Sequence, residues 1–227
     1  MNLSPETISD IIQWDITNWS KALAFWEENI DWSNVNHSLE IGGKGGGLSL
    51  WVALHGKNTI CSDLADSRLN AFELHAKYQV TDKIKYEDIN AASIPYENKF
   101  DLILFKSIIG GIGRDNNKSI QSETFRQIHK ALAPGGKLVF AENLTSSPIH
   151  RVLRKFNKWN YWRYISHSET REFLKDFPSI KLQTCGFCAA FGRTESQRRL
   201  LGKMDSLFFD KLIPSGWNYI VYGVAEK

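Results

Sequence analysis

The order of apolar and polar residues predicts strands and helices in alternation along most of the chain. Apolar residues spaced three and four apart predict one helix over Ser4–Asn29, which opens with the start signal Ser4-Pro5-Glu6. The predicted strands are Val35–Ile41, Thr59–Leu64, Lys83–Glu87, Phe100–Phe105, Lys137–Glu142, Ile180–Ala189 and Asn218–Ala225. The later predicted helices are Leu48–Leu54, Ser67–Tyr78, Gln121–Leu132 and Ser196–Phe209. Such alternation is typical of a parallel sheet covered on both faces.

A glycine-rich loop, Gly42–Gly47, joins the first predicted strand to the next helix. Glycines at such a point let a ligand approach the backbone and the free amides at the helix start. A phosphate-binding P-loop would need Lys-Ser/Thr after its last glycine, and the sequence has Leu48-Ser49 instead. The dinucleotide pattern G-x-G-x-x-G fails in every register, because leucine takes its last position. A third class of loop begins with an acid, and Glu40 precedes the first glycine by two residues.

This loop, Glu40-Ile41-Gly42-Gly43-Lys44-Gly45-Gly46, resembles the first motif of class I S-adenosylmethionine-dependent methyltransferases, acid-x-Gly-x-Gly-x-Gly. It departs from that motif at the central glycine, which is Lys44. Four further segments resemble the family in the same order. They are Asp63 after the second strand, Asp88-Ile89 after the third, Phe100–Ile103 in the fourth, and the turn Leu132–Leu138 before the fifth. The resemblance covers about residues 37–145.

The resemblance implies an α/β fold, a Rossmann-like three-layer sandwich with a mostly parallel seven-stranded sheet and an antiparallel last strand. It implies S-adenosyl-L-methionine as cofactor, with Asp63 holding the ribose and Asp88-Ile89 near the adenine. The residues assigned to the cofactor are Glu40, Gly42, Gly43, Lys44, Gly46, Asp63, Leu64, Asp88, Ile89 and Lys106. We expect one domain over residues 1–227: a helical cap (1–34), a cofactor-binding core (35–145) and a substrate-side helical insert and lid (146–217).

Composition supports a globular protein in a reducing compartment. The 227 residues suit one α/β domain, and 42% hydrophobic with 23% charged residues argues against disorder. No apolar run reaches the length of a membrane span, and the N-terminus lacks a secretory leader pattern. Three cysteines cannot form a disulfide framework, and Cys185-x-x-Cys188 has no second pair, so we expect a cytoplasmic protein without a metal site.

The charge is distributed unevenly along the chain. The net charge of +3 is too small to predict a nucleic-acid binder, but residues 147–203 contain 12 Lys/Arg and 4 acids. Within this region, residues 150–164 are basic and aromatic. Trp159, Tyr161, Trp162 and Tyr164 are candidates for a lid or for stacking on a ring, and packing against the sheet explains them equally well.

The acceptor should enter at the carboxyl ends of the strands, beside the cofactor. Candidate catalytic residues are Lys106, Glu142 and His150, with the latter two as bases for a hydroxyl acceptor. Each also has a structural interpretation, as a solvated lysine, a structural carboxylate at a strand end, or a surface or capping histidine. Arginines suit a phosphate or carboxylate, and the candidate substrate-binding residues are Arg114, Asn143, Arg154, Trp162 and Arg193.

Three functions remain open at this point. The first is O-methylation of a small anionic or sugar-type acceptor in a biosynthetic pathway, because FKSIIGGIGR and FAENLTSSPIHRVLRK resemble segments of methyltransferases for surface glycans or secondary metabolites. The alternative is a nucleic-acid (tRNA or rRNA) methyltransferase, although KSII stands where an N/D-P-P-Y/F tetrapeptide would follow strand four. The third is a membrane-surface module, since the residues 150–164 suit peripheral membrane contact. The sequence predicts no oligomeric state.

Overall fold

A computed structural model describes residues 3–155 and 161–227 and contains a seven-stranded sheet. The strands are β1 His37–Glu40, β2 Asn58–Asp63, β3 Ile84–Asp88, β4 Phe100–Lys106, β5 Leu132–Asn143, β6 Ser179–Cys185 and β7 Ile220–Glu226. Their order is β3-β2-β1-β4-β5-β7-β6, and β7 runs antiparallel to β5 and β6 while the other pairs are parallel. The predicted Rossmann-like fold with an antiparallel last strand is confirmed.

Helices cover both faces of this sheet. They are α1 Pro5–Ile12, α2 Ile16–Asn29, α3 Gly47–Leu54, α4 Ser67–Lys77, α5 Ile109–Ile112, α6 Lys118–Ala131, α7 Pro148–Lys155, α8 His167–Phe173, α9 Glu195–Met204 and α10 Asp210–Leu212. Side chains of β4 alternate between two buried clusters: Leu102 and Leu104 face α1–α4, whereas Ile103 and Phe105 face α6 and α8. In residues 3–155 and 161–227, no helix has both the length and the apolar character that a membrane span requires.

The predicted helix Ser4–Asn29 is wrong in one respect, because the chain breaks it into α1 and α2. Ser4 caps α1 as expected, and its side chain accepts a hydrogen bond from the Thr7 amide. Between the two helices, Gln13 and Asp15 take left-handed backbone angles, with φ of 70° and 46°. The amides of Asp15 and Ile16 instead donate to the Glu195 carboxylate, at 2.9 and 2.8 Å. This contact spans most of the chain and is invisible in the local pattern.

Other predicted boundaries also differ, and the strand predicted over Ile180–Ala189 ends at Cys185. The turn predicted before the fifth strand lies within β5, where pairing with β4 shifts from Phe100↔Leu132 to Leu102↔Lys137 and leaves the intervening residues as an irregularity. The α-helix predicted to extend to Phe209 ends at Met204. A π-helical turn, Asp205–Phe209, then connects it to α10.

Candidate active site

A cavity of about 1220 Å³ opens at the carboxyl ends of β1, β4 and β5. Its walls come from the glycine loop, the break between α1 and α2, the residues after β4 and β5, α7, and the segment from Ala189 to Arg198. It brings together predicted residues from all three groups. The predicted residues that line it are Glu40, Gly42, Gly43, Lys44, Lys106, Arg114, Asn143, His150, Arg154, Trp162 and Arg193.

The glycine loop keeps its shape despite the lysine at its centre. Gly42 has a φ of 65°, and a Cβ there would lie 2.5 Å from Cγ2 of Ile108. Lys44 itself adopts a left-handed φ of 37°, a conformation that usually favours glycine. Its amide donates to Oδ2 of Asp63 at 3.0 Å. The hydrogen bond to Asp63, at the end of β2, therefore holds Lys44 in a backbone conformation that glycine adopts more easily.

Glu40 anchors the loop to the start of α3. Its Oε1 accepts from the Leu48 amide at 3.2 Å, and its Oε2 accepts from the Ser49 amide at 2.7 Å. Burial raises the pKa of Glu40 to about 7, against the opposing effect of these hydrogen bonds. Gly46 does not line the cavity. Its carbonyl accepts from Nε2 of His75 at 2.9 Å, so it joins α3 to α4 rather than facing a ligand.

Lys106 projects into the cavity from the end of β4. Its Nζ lies 5.0 Å from the Trp14 ring centroid and 5.2 Å from that of Trp19, in cation–π geometry. Burial lowers the pKa of Lys106 to about 8, while the nearby carboxylates of Glu40, Glu142 and Asp15 oppose that shift. Among the described residues, no side chain or carbonyl accepts a hydrogen bond from this ammonium group, and Lys106 lines the cavity.

The structure argues against Glu142 as a base. It is fully buried, and it is not among the residues that line the cavity. Its Oε2 accepts from the Ile109 amide and its Oε1 from the Asn143 amide, both at 2.7 Å. Burial raises the pKa of Glu142 to about 7. The carboxylate holds the start of α5 against the end of β5, which is a positioning role.

His150 lines the cavity but is not free to accept a proton. Its Nε2 lies 2.9 Å from the Phe187 carbonyl and must donate to it, which leaves Nδ1 to accept from the Ser147 hydroxyl at 2.7 Å. The ring also stacks on Phe191, with centroids 4.5 Å apart. Burial lowers the pKa of His150 and keeps the imidazole neutral. The structural interpretation of this histidine is therefore the better supported one.

The predicted adenosine-binding residues lie beside the cavity rather than within its lining. Asp63 and Asp88 are paired in register at the ends of β2 and β3. Oδ1 of Asp63 accepts from the Leu64 amide at 2.7 Å, and the Leu64 side chain is 70% exposed. Asp88 accepts from the Ser67 amide at 3.1 Å, which lowers the pKa of Asp88, and Ile89 is buried next to it. These residues form an open edge that continues from the glycine loop.

The predicted substrate-binding residues all line the cavity. Nδ2 of Asn143 donates to the Ser107 hydroxyl at 2.7 Å, and the Arg114 guanidinium lies 5.2 Å from the Tyr161 ring centroid. Trp162 packs over Gly110, where a Cβ would lie 2.8 Å from its ring. Arg193 is exposed at the rim. Trp159 and Lys158 of the basic, aromatic stretch lie outside the described residues.

A family model described as a methyltransferase domain matches residues 21–176, which is more than half of the chain. The chain belongs to this methyltransferase family. The match, together with the fold, confirms the expected class of enzyme, an S-adenosylmethionine-dependent methyltransferase. A search of curated proteins found no match to the sequence.

Solved structures of low sequence identity share the methyltransferase fold. Phosphoethanolamine N-methyltransferase 2 of Haemonchus contortus, in complex with phosphomonomethylethanolamine and S-adenosylhomocysteine, aligns with a TM-score of 0.63 and 18% identity over 92% of this chain and 52% of that one. MccD protein aligns with a TM-score of 0.62 and 13% identity over 91% of this chain and 96% of that one. The methyltransferase therefore spans about half the length of the Haemonchus protein.

The methyltransferase cavity also contains residues that sequence reasoning missed. They include Trp14, Asp15, Phe191, Arg198 and Tyr219. The apolar spacing predicts Trp14 and Asp15 inside a continuous helix and does not predict the break that turns both toward the cavity. Tyr219 precedes the last strand, and its hydroxyl donates to Asp15 from the other end of the chain. Gln13 and Asp15, which interrupt the apolar pattern of Ser4–Asn29, are a local signal for this break.

The Asp15 carboxylate is buried at the break between α1 and α2, where its residue is 1% exposed. Its Oδ2 accepts from the Tyr219 hydroxyl, which in turn accepts from Nδ2 of Asn18 at 2.9 Å. Its Oδ1 is buried without a hydrogen-bond partner among the described residues. Burial raises the pKa of Asp15 to about 7, which is the range of an effective general base.

We expect Asp15→Asn to change how the stability of the methyltransferase depends on pH. A carboxyl whose folded-state pKa is raised stabilises the fold below its unfolded pKa, and that contribution is lost as pH rises through the folded value. For Asp15 this window runs from about pH 4 to pH 7 and is worth about 4 kcal/mol, since one pKa unit corresponds to about 1.4 kcal/mol. Asparagine still accepts from Tyr219 but does not titrate.

Denaturant unfolding at several pH values measures this effect. The free energy of unfolding of Asp15→Asn should rise relative to wild type between about pH 4 and pH 7. Glu40 and Glu142 titrate in both proteins and cancel in the difference. The exposed Asp82, changed to asparagine, is the matched control. Parallel curves for wild type and Asp15→Asn would show that Asp15 ionises normally.

The residues at this site fit S-adenosylmethionine. Lys106 offers an ammonium without a hydrogen-bond acceptor for the methionine carboxylate, and the glycine loop leaves no room for side chains at Gly42 or Gly43. Asp63 lies at the edge of the loop with unused carboxylate lone pairs for the ribose hydroxyls. Together they offer a partner for each polar end of the cofactor.

Proposed function

We propose that this methyltransferase transfers a methyl group to an oxygen of a small anionic acceptor, which binds beside S-adenosylmethionine in the cavity. The cofactor supplies a methyl group activated by its positively charged sulfur. The chain supplies binding and alignment, with an acceptor oxygen held in line with that methyl. A biosynthetic role in surface-glycan or secondary-metabolite assembly is part of this proposal.

The observation that carries the proposal is the arginine at the end of α7. Nη1 of Arg154 donates to the Leu144 carbonyl at 2.7 Å and to the Thr145 carbonyl at 3.1 Å. The guanidinium lies 3.8 Å from the Tyr164 ring centroid, and burial lowers the pKa of Arg154. No carboxylate in the described part of the chain forms an ion pair with it.

A partly buried cation without a counter-charge is costly, and an anionic ligand offsets that cost. Nη1 is used by the two carbonyls, so Nε and Nη2 of Arg154 remain for an anion, and a guanidinium matches phosphate or carboxylate in a two-point contact. Arg114, Arg193 and Arg198 line the same cavity and add positive charge at its rim. The cavity is therefore suited to an acceptor with one or more negative groups.

We assign the cofactor to the glycine loop, Lys106 and the open edge near Asp63. Gly42 and Gly43 allow close approach of the methionine half, while Leu64, Asp88 and Ile89 would contact the adenine half. Glu142 and His150 are engaged in internal hydrogen bonds, so Asp15 is the better candidate to take a proton from a hydroxyl acceptor. Asp15 and Lys106 both line the cavity near the methionine half.

Lys106→Met should weaken the binding of S-adenosylhomocysteine roughly tenfold near neutral pH, because a charge-assisted hydrogen bond to the carboxylate is lost. The contact needs the ammonium form, so wild-type affinity should fall as pH rises through about 8. Isothermal titration across this pH range measures both effects, with Lys85→Met at an exposed position of β3 as control. Equal affinities of Lys106→Met and wild type at every pH would contradict the assigned contact.

The proposed function is tested with paired acceptors that differ only in charge. Wild-type enzyme is incubated with methyl-labelled S-adenosylmethionine and sugar phosphates, their neutral sugars, aromatic carboxylates, their amides, and phosphomonomethylethanolamine, the ligand of the Haemonchus enzyme. Label should enter the phosphate or carboxylate member of a pair and be found on oxygen by mass spectrometry and NMR. Label on tRNA or rRNA alone would favour the nucleic-acid alternative, and label on neutral members alone would contradict anionic recognition.

A further inference from the structure

The C-terminal helical segment carries a surface that the proposed reaction does not use. From α9 to α10, exposed residues recur in pairs spaced by four, so they share one side of the helical segment. We call this surface the apolar-basic stripe; it consists of Arg199, Leu200, Lys203, Met204, Leu207, Phe208, Lys211 and Leu212. Its leucines Leu200, Leu207 and Leu212 are 65%, 67% and 77% exposed.

The acids of the same segment all face inward. Glu195 accepts from two backbone amides at the break between α1 and α2. Asp205 accepts from two amides of the loop after β6. Asp210 pairs with Lys21 at 2.6 Å. The acids therefore hold the segment to the body of the protein, while basic and apolar side chains remain outside.

The packing of the inner side fixes the direction of the stripe. Gly202 lies so close to α2 that a Cβ there would be 2.9 Å from Cγ2 of Thr17. Phe209 stacks on Phe187, with centroids 5.8 Å apart. The segment is thus seated through small and aromatic contacts, and it presents the stripe outward as a fixed surface rather than a fraying end.

We propose that the apolar-basic stripe docks the methyltransferase on the surface of an anionic lipid bilayer. Basic residues beside exposed leucine and phenylalanine are the pattern of a helix that lies in a membrane interface, with apolar side chains inserted and cations at the headgroups. None of Arg199, Lys203 and Lys211 forms an ion pair with a residue that the structure describes. Their charge is available to lipid phosphates.

The charge of the stripe also argues against its covering a second copy of the chain. A two-fold contact would set the same basic residues of both copies against each other. Arg193 and Arg198 lie in the same part of the chain and line the cavity. Docking through the stripe would therefore bring the cavity rim close to the lipid surface, from which a membrane-held anionic acceptor could reach Arg154.

Vesicle co-sedimentation of the full-length protein tests this surface. At low salt, wild type should sediment with phosphatidylcholine vesicles containing phosphatidylglycerol and remain in solution with phosphatidylcholine alone. Reversal of Arg199, Lys203 and Lys211 to glutamate should weaken binding by roughly fivefold per residue, and added salt should weaken wild-type binding. Leu207→Ser with Phe208→Ser should weaken binding roughly tenfold through lost insertion.

Matched substitutions elsewhere separate the stripe from general charge and hydropathy. Leu69→Ser changes a leucine of α4 that is 79% exposed, and Lys85→Glu changes an exposed lysine of β3. Neither should affect sedimentation, and all variants should bind S-adenosylhomocysteine as wild type does. The proposal is overturned if wild type ignores anionic vesicles, if the stripe variants sediment like wild type, or if they instead abolish a dimer measured by light scattering.

Discussion

Arg154→Met should lower kcat/KM for the anionic acceptor by at least ~30-fold, the largest effect that we expect from a single substitution in the cavity. Removing one partner of a desolvated charge pair costs about 2–5 kcal/mol, because the other charge is left unpaired. Under the proposed function, the partner left behind would be the anionic group of the acceptor. The loss should fall on kcat/KM, which is measured with the anionic member of the acceptor pair that wild type methylates.

Two controls separate recognition from damage to the fold. Arg154 also binds the Leu144 and Thr145 carbonyls, so the thermal midpoint and the affinity for S-adenosylhomocysteine are measured on the same variant. Both should stay close to wild type if the cofactor half is intact. Arg154→Lys keeps the charge and should recover part of the activity. A variant that binds cofactor and methylates the acceptor at the wild-type rate would refute the anion site.

Asp63→Ala should weaken S-adenosylhomocysteine binding by roughly 100-fold. Its carboxylate is proposed to accept from both ribose hydroxyls, and hydrogen bonds to a charged group contribute about 1.5–3 kcal/mol each. The substitution also removes the acceptor for the Lys44 amide. Because Lys44 has a left-handed backbone conformation that this hydrogen bond stabilises, the glycine loop should also become less ordered.

Isothermal titration measures this loss of affinity. Two further variants show whether the loss comes from the Asp63 carboxylate itself. Asp63→Asn retains one acceptor oxygen and should bind with intermediate affinity. Asp82→Ala removes a carboxylate that is exposed and distant from the loop, and it should bind like wild type. Wild-type affinity in Asp63→Ala would mean that the ribose lies elsewhere.

The proximity of Glu40, the glycine loop and Asp63 could be predicted from the sequence because its determinants are local, whereas their binding of the cofactor stays a prediction. Glu40, the glycines and Asp63 each stand at the end of a short apolar strand, and parallel strands bring such ends to one edge of the sheet. The sequence alone did not show how Lys44 fits at the centre of the loop, where its amide donates to Asp63. Order along the chain translated directly into proximity in space.

The catalytic candidates were harder because burial and long-range partners decide their roles. Glu142 and His150 have suitable chemistry, but the structure engages Glu142 with backbone amides and both nitrogens of His150 with Ser147 and Phe187. Asp15 had no such prediction, since its position depends on contacts with Glu195 and Tyr219 from the far end of the chain. No local pattern contains that information.

A crystal structure of the protein with S-adenosylhomocysteine tests the central claim most directly. The product should lie with its amino-acid half against Gly42, Gly43 and Lys106, and both ribose hydroxyls should lie within hydrogen-bonding distance of the Asp63 carboxylate. The sulfur should then face the part of the cavity that contains Asp15 and Arg154. A nucleoside bound away from Asp63, or an amino-acid half outside the glycine loop, would contradict this account.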